Sequence, residues 1–164
     1  MPKLAELNAL EREEFTRLLG PIFEHSPWVA ARTCSQRPFG SREDVRVALC
    51  ATVAKASDEE KLSLIRAHPD LIGDDEVTAA SRAEQASAGL DHASPEEVTQ
   101  FREYNRQYRE RFGFPFVICA RLHKKETIAR AFPVRLKNTR EQEMQTALEE
   151  IYKIAGLRLR DIIE

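Results

Sequence analysis

His68-Pro69-Asp70-Leu71 places an imidazole where a helix has to stop. Pro69 disfavours the α region for the residue before it, so a helical run through Leu62, Leu64, Ile65 and Ala67 is expected to break at His68. Histidine is the side chain whose unperturbed pKa suits proton transfer near neutrality. At a helix end its ring can face a cleft, although a surface or capping histidine fits the same position. Downstream, Ser81, Glu84, Gln85 and Ala88 are spaced i, i+3, i+4, i+7, which aligns a hydroxyl, a carboxylate and an amide on one helical face. Ala83, Ala86 and Ala88 around them leave room for a ligand. Ser81-x-x-Glu84 is equally the signature of a capping box, with no role beyond starting a helix. Thr78-Ala79-Ala80 ahead of it can continue a helix, which weakens that alternative.

A third candidate lies near the C-terminus. The apolar stripe Met144, Ala147, Leu148, Ile151, Ile154, Ala155 reaches Arg158 on the same face, about 20° off a straight line, whereas Arg160 falls opposite. An arginine aimed at a core is paired or serves an anion, because an unpaired buried charge is very costly. Snorkelling at the helix C-terminus is the other reading. His25, His92 and His123 show no metal-ligand spacing with one another or with His68, and no Gly-rich phosphate loop or Ser-His-Asp context occurs. No metal is expected.

These groups need elements to hold them, and helical periodicity supplies nearly all of them. Asn8 with Glu11 resembles a capping pair, opening a helix that carries Phe15, Leu18 and Leu19 to Gly20-Pro21. Ser26-Pro27 is expected to start a short helix containing Trp28, with Pro27 at its first position. Ser41 with Asp44, and Ser57 with Glu60, open the next two. A further helix is expected over roughly Asp75 to Ala88, closed by Gly89. Ser94-Pro95-Glu96-Glu97 begins one whose Val98, Phe101, Asn105, Tyr108 and Phe112 share a face, stopped by Gly113. The last helix is expected from near Thr139 almost to the end. Phe114-Pro115-Phe116-Val117-Ile118-Cys119-Ala120 breaks the pattern: six of its seven residues are apolar and no other segment offers a partner strand. It reads as a buried connector leading into a helix. Its backbone N–H groups must find partners, in neighbouring helices or in a ligand.

The expected fold is therefore all-α, a single-domain helical bundle over 1–164. Twenty-five basic and 27 acidic side chains leave a charge of -2, without the dominant basic character of a nucleic-acid or anionic-membrane binder. Three cysteines, Cys34, Cys50 and Cys119, with no C-x-x-C pair, suggest reduced thiols and a cytoplasmic protein. No apolar run approaches membrane-spanning length.

In order, His68-Pro69-Asp70-Leu71, Ser81-Arg82-Ala83-Glu84-Gln85 with Ala88-Gly89-Leu90, and Arg111-Phe112-Gly113-Phe114-Pro115-Phe116-Val117-Ile118-Cys119-Ala120 resemble the 2-oxo-4-hydroxy-4-carboxy-5-ureidoimidazoline (OHCU) decarboxylase family. Glu24-His25-Ser26-Pro27-Trp28 and Ile151 to Leu159 add to the likeness. That family takes its substrate to (S)-allantoin in urate degradation. The resemblance implies an all-helical homodimer, no cofactor or metal, and a small ureidoimidazoline substrate. It implies a proton donor at His68, with Glu84 and Arg158 as the other catalytic groups. It implies substrate contacts at Pro69, Ser81, Gln85 and Phe116, Val117, Ile118, Cys119 and Ala120, the last five largely through backbone. Whether Glu84 meets substrate or pairs with Arg158 is left open. A helical module that grips a ureide without turning it over, and a scaffold whose connector is merely core, are the alternatives.

Overall fold

The computed structural model describes residues 1–74 and 76–164. Among them every regular element is helical and no strand occurs, as the periodicity predicts. No helix among the described residues is long and apolar enough to cross a membrane. The chain forms two compact units, Met1–Ala67 with Tyr152–Glu164, and His68–Ile151.

The first unit contains α1 (Leu4–Ala9), α2 (Arg12–Leu19), α3 (Trp28–Thr33), α4 (Arg42–Ala54) and α5 (Asp58–Arg66). It also holds the residues from Tyr152 onward of α9 (Arg140–Ile162). The expected caps of α4 and α5 form. Ser41 Oγ accepts from Asp44 N at 3.0 Å, and Ser57 and Glu60 make a reciprocal capping box. α3 packs against both α2 and α4. Thr33 and Thr52 join α3 to α4 through a 2.7 Å hydroxyl contact. Each also donates to, or can reach, the carbonyl one turn back on its own helix. Phe15, Leu19, Val29, Val45, Leu49, Val53, Leu64 and Ile65 are among the buried apolar residues of this unit's stripes.

Two local expectations are corrected. Asn8 caps nothing: it lies inside α1, a helix too short and too weakly patterned to stand out in sequence, and α2 starts after Glu11 with no side-chain cap. Asn8 instead exchanges two hydrogen bonds with the Phe39 backbone, both 2.9 Å, so its amide is committed to a distant segment. Pro27 sits at the N-cap of α3 and not at its first helical position, while Ser26 Oγ donates to Glu24 O.

The second unit contains α6 (Ala79–Ser87), α7 (Pro95–Phe112), α8 (Lys125–Arg135) and the part of α9 up to Ile151. Asp75, the expected start of α6, lies outside the described residues. The helix is capped by Thr78, whose Oγ1 accepts from Ser81 N at 3.2 Å. α7 has the capping box of Ser94 and Glu97 and ends at Gly113 with φ 79°. α9 opens with a reciprocal pair between Thr139 and Gln142. Phe101, Tyr108, Phe112, Phe114, Phe116 and Phe132 form an aromatic core, with Phe116 stacked on Phe132 at 3.8 Å. The connector stays free of helix and strand from Pro115 to Cys119, as expected.

Gly89 closes α6 at φ 84°, and an added Cβ there meets only Lys125 Cδ at an ordinary 3.9 Å. The penalty of a side chain at this position is therefore the left-handed backbone itself. Gly89→Ala should cost about 1 kcal/mol and lower Tm by about 3 °C; thermal unfolding with an unchanged Tm would contradict this.

Candidate active site

His68 is the first residue past the end of α5 and its capping Ala67, where Pro69 predicts the break, and it is buried with 6% of its surface exposed. The three residues after Pro69 are held from two helices of the second unit. Gln85, on α6, accepts from Ile72 N at 3.1 Å and donates to Asp70 O at 3.4 Å. Asn105, on α7, donates to Leu71 O at 2.8 Å. Arg109, one turn further, pairs with the Asp70 carboxylate at 2.9 Å. Ile72 takes φ 54°, a region that β-branched residues avoid, and the surrounding bonds over-determine that conformation.

Ser81, Glu84 and Gln85 share the α6 face that their spacing predicts, with Ser81 buried and the other two half-buried. Because Thr78 is the cap, Ser81-x-x-Glu84 is not a capping box, and the local explanation for that motif falls away. α6 packs against the short helical turn Ala120–Leu122 at the end of the connector. It is thus the common neighbour of the His68 segment and the connector.

The connector's buried backbone finds protein partners on alternate residues. Arg135 Nη1 donates to Val117 O at 2.7 Å, and Cys119 N donates to the Glu150 carboxylate at 3.1 Å. Ile118, half-buried between them, makes no backbone hydrogen bond among the described residues. Behind this lies a buried network. Glu143 accepts from Arg135 Nε at 2.7 Å, Tyr108 OH at 2.5 Å and Asn138 Nδ2 at 2.9 Å. Burial pushes the Tyr108 phenol well above its usual range, with the Arg135 charge opposing and the Glu143 carboxylate reinforcing, so it remains a donor.

Arg158 belongs to the first unit and is 4% exposed, on the inward face that its helical phase predicts. Its Nη1 donates to Glu24 Oε1 and to Pro21 O, both at 3.0 Å. Glu24 is itself 2% exposed, so this is a buried ion pair. Among the described residues no group of three His, Cys, Asp or Glu side chains could hold a metal ion.

Sequence reasoning missed Glu24, Arg135, Glu143 and Glu150. Glu143 and Glu150 lie at i and i+7 with Ala147 between them, on the phase that singled out Arg158. The same test for charges on a core face would have found both.

The OHCU decarboxylase family model matches residues 8–160. The chain is 46% identical over 158 residues to an OHCU decarboxylase of Haloferax volcanii, covering 96% of this chain and 94% of that one. It is 38% identical over 164 residues to the mouse (Mus musculus) OHCU decarboxylase, covering 98% and 92%. A crystal structure of an (S)-allantoin synthase superposes with a TM-score of 0.83 at 30% identity over all of this chain, which spans 54% of that protein's chain. A crystal structure of an OHCU decarboxylase in the presence of (S)-allantoin shares the fold, with a TM-score of 0.72 at 22% identity over 93% of this chain and 97% of that one.

Two outcomes test the geometry. Removing one partner of a buried ion pair leaves an uncompensated charge, so Glu24→Ala should lose about 3 kcal/mol of unfolding free energy, and adding Arg158→Met should recover most of it. A denaturant titration in which the double variant is no more stable than Glu24→Ala would contradict the pairing. Gln85→Leu should speed hydrogen exchange at the Ile72 amide about fivefold, the equivalent of one net hydrogen bond; unchanged protection there would show that Gln85 does not hold the segment.

Proposed function

This chain belongs to the OHCU decarboxylase family, and from that premise we propose that it converts 2-oxo-4-hydroxy-4-carboxy-5-ureidoimidazoline to (S)-allantoin and CO2 in urate degradation. The observation that carries the reading is a match over nearly the whole chain to relatives named for that activity, and a buried His68 at the end of α5 supports it.

The chemistry needs a place for the electron pair left when CO2 departs. This substrate carries one: the C–COO⁻ bond breaks, its electrons form a ring C=C, and the adjacent ring C=N takes up the displaced pair. A proton is then added at the ureido-bearing carbon, while the hydroxyl carbon becomes a carbonyl and the proton it releases is matched by one taken up at the ring nitrogen that received the displaced pair. The net change is loss of CO2 and gain of one proton. The protein has to hold the ring in one orientation and supply that proton from one side. In this reading His68 is the proton donor, and its one-sided delivery fixes the S configuration. Glu84 hydrogen-bonds donors of the ureido or hydroxyl group. Pro69 and Ser81 line the substrate, and the peptide groups of Phe116, Val117, Ile118, Cys119 and Ala120 contribute according to what is left unengaged. Ile118 has both of its backbone groups to offer. Arg158, already paired with Glu24, offers N–H donors to a substrate oxygen. Gln85 holds the His68 segment as well as contacting the ring.

The same reading has the 164 residues working as one domain, in a cytoplasmic homodimer, with no metal or cofactor. These finer points rest on the family resemblance and on the substrate's own electron sink. Sedimentation of the purified protein, and activity retained after chelation and dialysis, check the dimer and the cofactor independence.

His68→Asn should lower the catalysed rate by about 10²- to 10⁴-fold, the range of general acid catalysis, with helical circular dichroism unchanged. Water has no facial preference, so uncatalysed decay yields racemic product and the circular dichroism of the allantoin formed reports the enzyme's share. Near wild-type turnover in this variant would sink the assigned role. Binding without any acceleration by the wild-type protein would favour a ureide-binding module instead.

A further inference from the structure

Buried charge needs a reason, because replacing a buried ion pair by well-packed apolar residues is often neutral or stabilising. The second unit buries three such side chains together around the connector. Glu143 is 0% exposed, Arg135 8% and Glu150 7%. Their bonds point at one object. Arg135 takes Val117 O, stands over the Phe116 ring with its guanidinium carbon 4.1 Å from the centroid, and is itself aimed by Glu143 and Tyr108. Glu150 takes Cys119 N. The two clamps bracket Ile118, whose own N–H and C=O have no hydrogen bond among the described residues. Turning the backbone at Val117 or Cys119 would break a bond to a buried charge, so the direction in which Ile118 shows its N–H and C=O is fixed.

We propose that Arg135 and Glu150, with Glu143 behind Arg135, are positioning residues of the decarboxylation: they set the connector backbone so that the Ile118 peptide meets the substrate ring in one orientation. This inference rests on the functional reading given above. It assigns no proton transfer to any of the three. Their effect reaches the reaction through backbone geometry alone, and an error of about 1 Å in such a contact is enough to lose about 10²-fold in rate.

Glu150 allows a test that separates reach from charge. Glu150→Gln loses the charge but keeps an acceptor oxygen for the Cys119 amide. Glu150→Asp keeps the charge but withdraws it by one methylene. A positioning role predicts that Glu150→Gln stays within about threefold of wild-type kcat/KM. It also predicts that Glu150→Asp loses at least about tenfold and yields allantoin of lower S excess. Arg135→Lys, which cannot span Glu143 and Val117 with a planar fork, should behave like Glu150→Asp. Rates are to be taken per folded molecule, with the folded fraction measured by near-UV circular dichroism. The proposal is overturned if Glu150→Asp and Arg135→Lys keep wild-type kcat/KM and product chirality, or if Glu150→Gln is as impaired as Glu150→Asp. A wild-type protein that does not accelerate decay of the substrate would refute the decarboxylase reading itself, an outcome distinct from either of these.

Discussion

A buried connector must find partners for its backbone polar groups, and Pro115–Cys119 has no strand or helix to supply them. The second unit meets part of this requirement with side chains. Arg135 and Glu150 take one group each from residues 117 and 119, and the aromatic core grips the intervening side chains. Most of what surrounds the connector follows from that requirement. α8 has to end with an arginine facing inward, α9 has to carry glutamates on its core stripe, and α7 has to place Tyr108 where its hydroxyl meets Glu143. The strongly raised Tyr108 pKa follows from the same arrangement, since burial among these groups penalises the phenolate.

The stretch after His68, residues 70–72, has a different set of holds. Its bonds include those of neutral amides, Gln85 and Asn105, and a half-exposed Arg109–Asp70 pair that screening keeps weak. Its backbone includes a β-branched residue at φ 54°. Val117 and Cys119 are bonded to buried charged groups, whereas residues 70–72 are bonded by neutral amides and one half-exposed ion pair over a strained backbone.

The helices were legible because their signals are local. Ser41, Ser57, Ser94 and Gly113 each act within one turn of themselves, and each does in the structure what its residue type predicts. Asn8 shows where that reasoning stops: an asparagine ahead of a helix has the same composition whether it caps the next turn or reaches across to Phe39. The site was legible in its parts, namely the break at His68, the α6 face and the inward phase of Arg158. The partners were not, because an ion pair such as Arg158–Glu24 joins residues 134 apart in sequence. The glutamates of α9 were legible in principle, but a charge on an apolar stripe draws notice only when each position is tested and not just the last.

The pairing of Arg158 also bears on how an arginine can serve a decarboxylation. In the ground state the negative charge sits on the departing carboxylate, and in the transition state it has moved toward the ring. A lone buried cation beside the carboxylate would stabilise the ground state more than the transition state and slow the reaction. Glu24 offsets the charge of Arg158 at 3.0 Å in a site where both are almost fully buried, so the pair presents little net charge. What the guanidinium retains is its geometry: five donors in a rigid plane, of which Nη1 is already directed at Glu24 and Pro21. Under the proposed reaction, such a group can orient a substrate oxygen through directional hydrogen bonds without over-stabilising the anion that has to break down. In that reading Glu24, which sequence motifs placed beside Pro27 and Trp28 without a role, limits how strongly Arg158 would bind an anion.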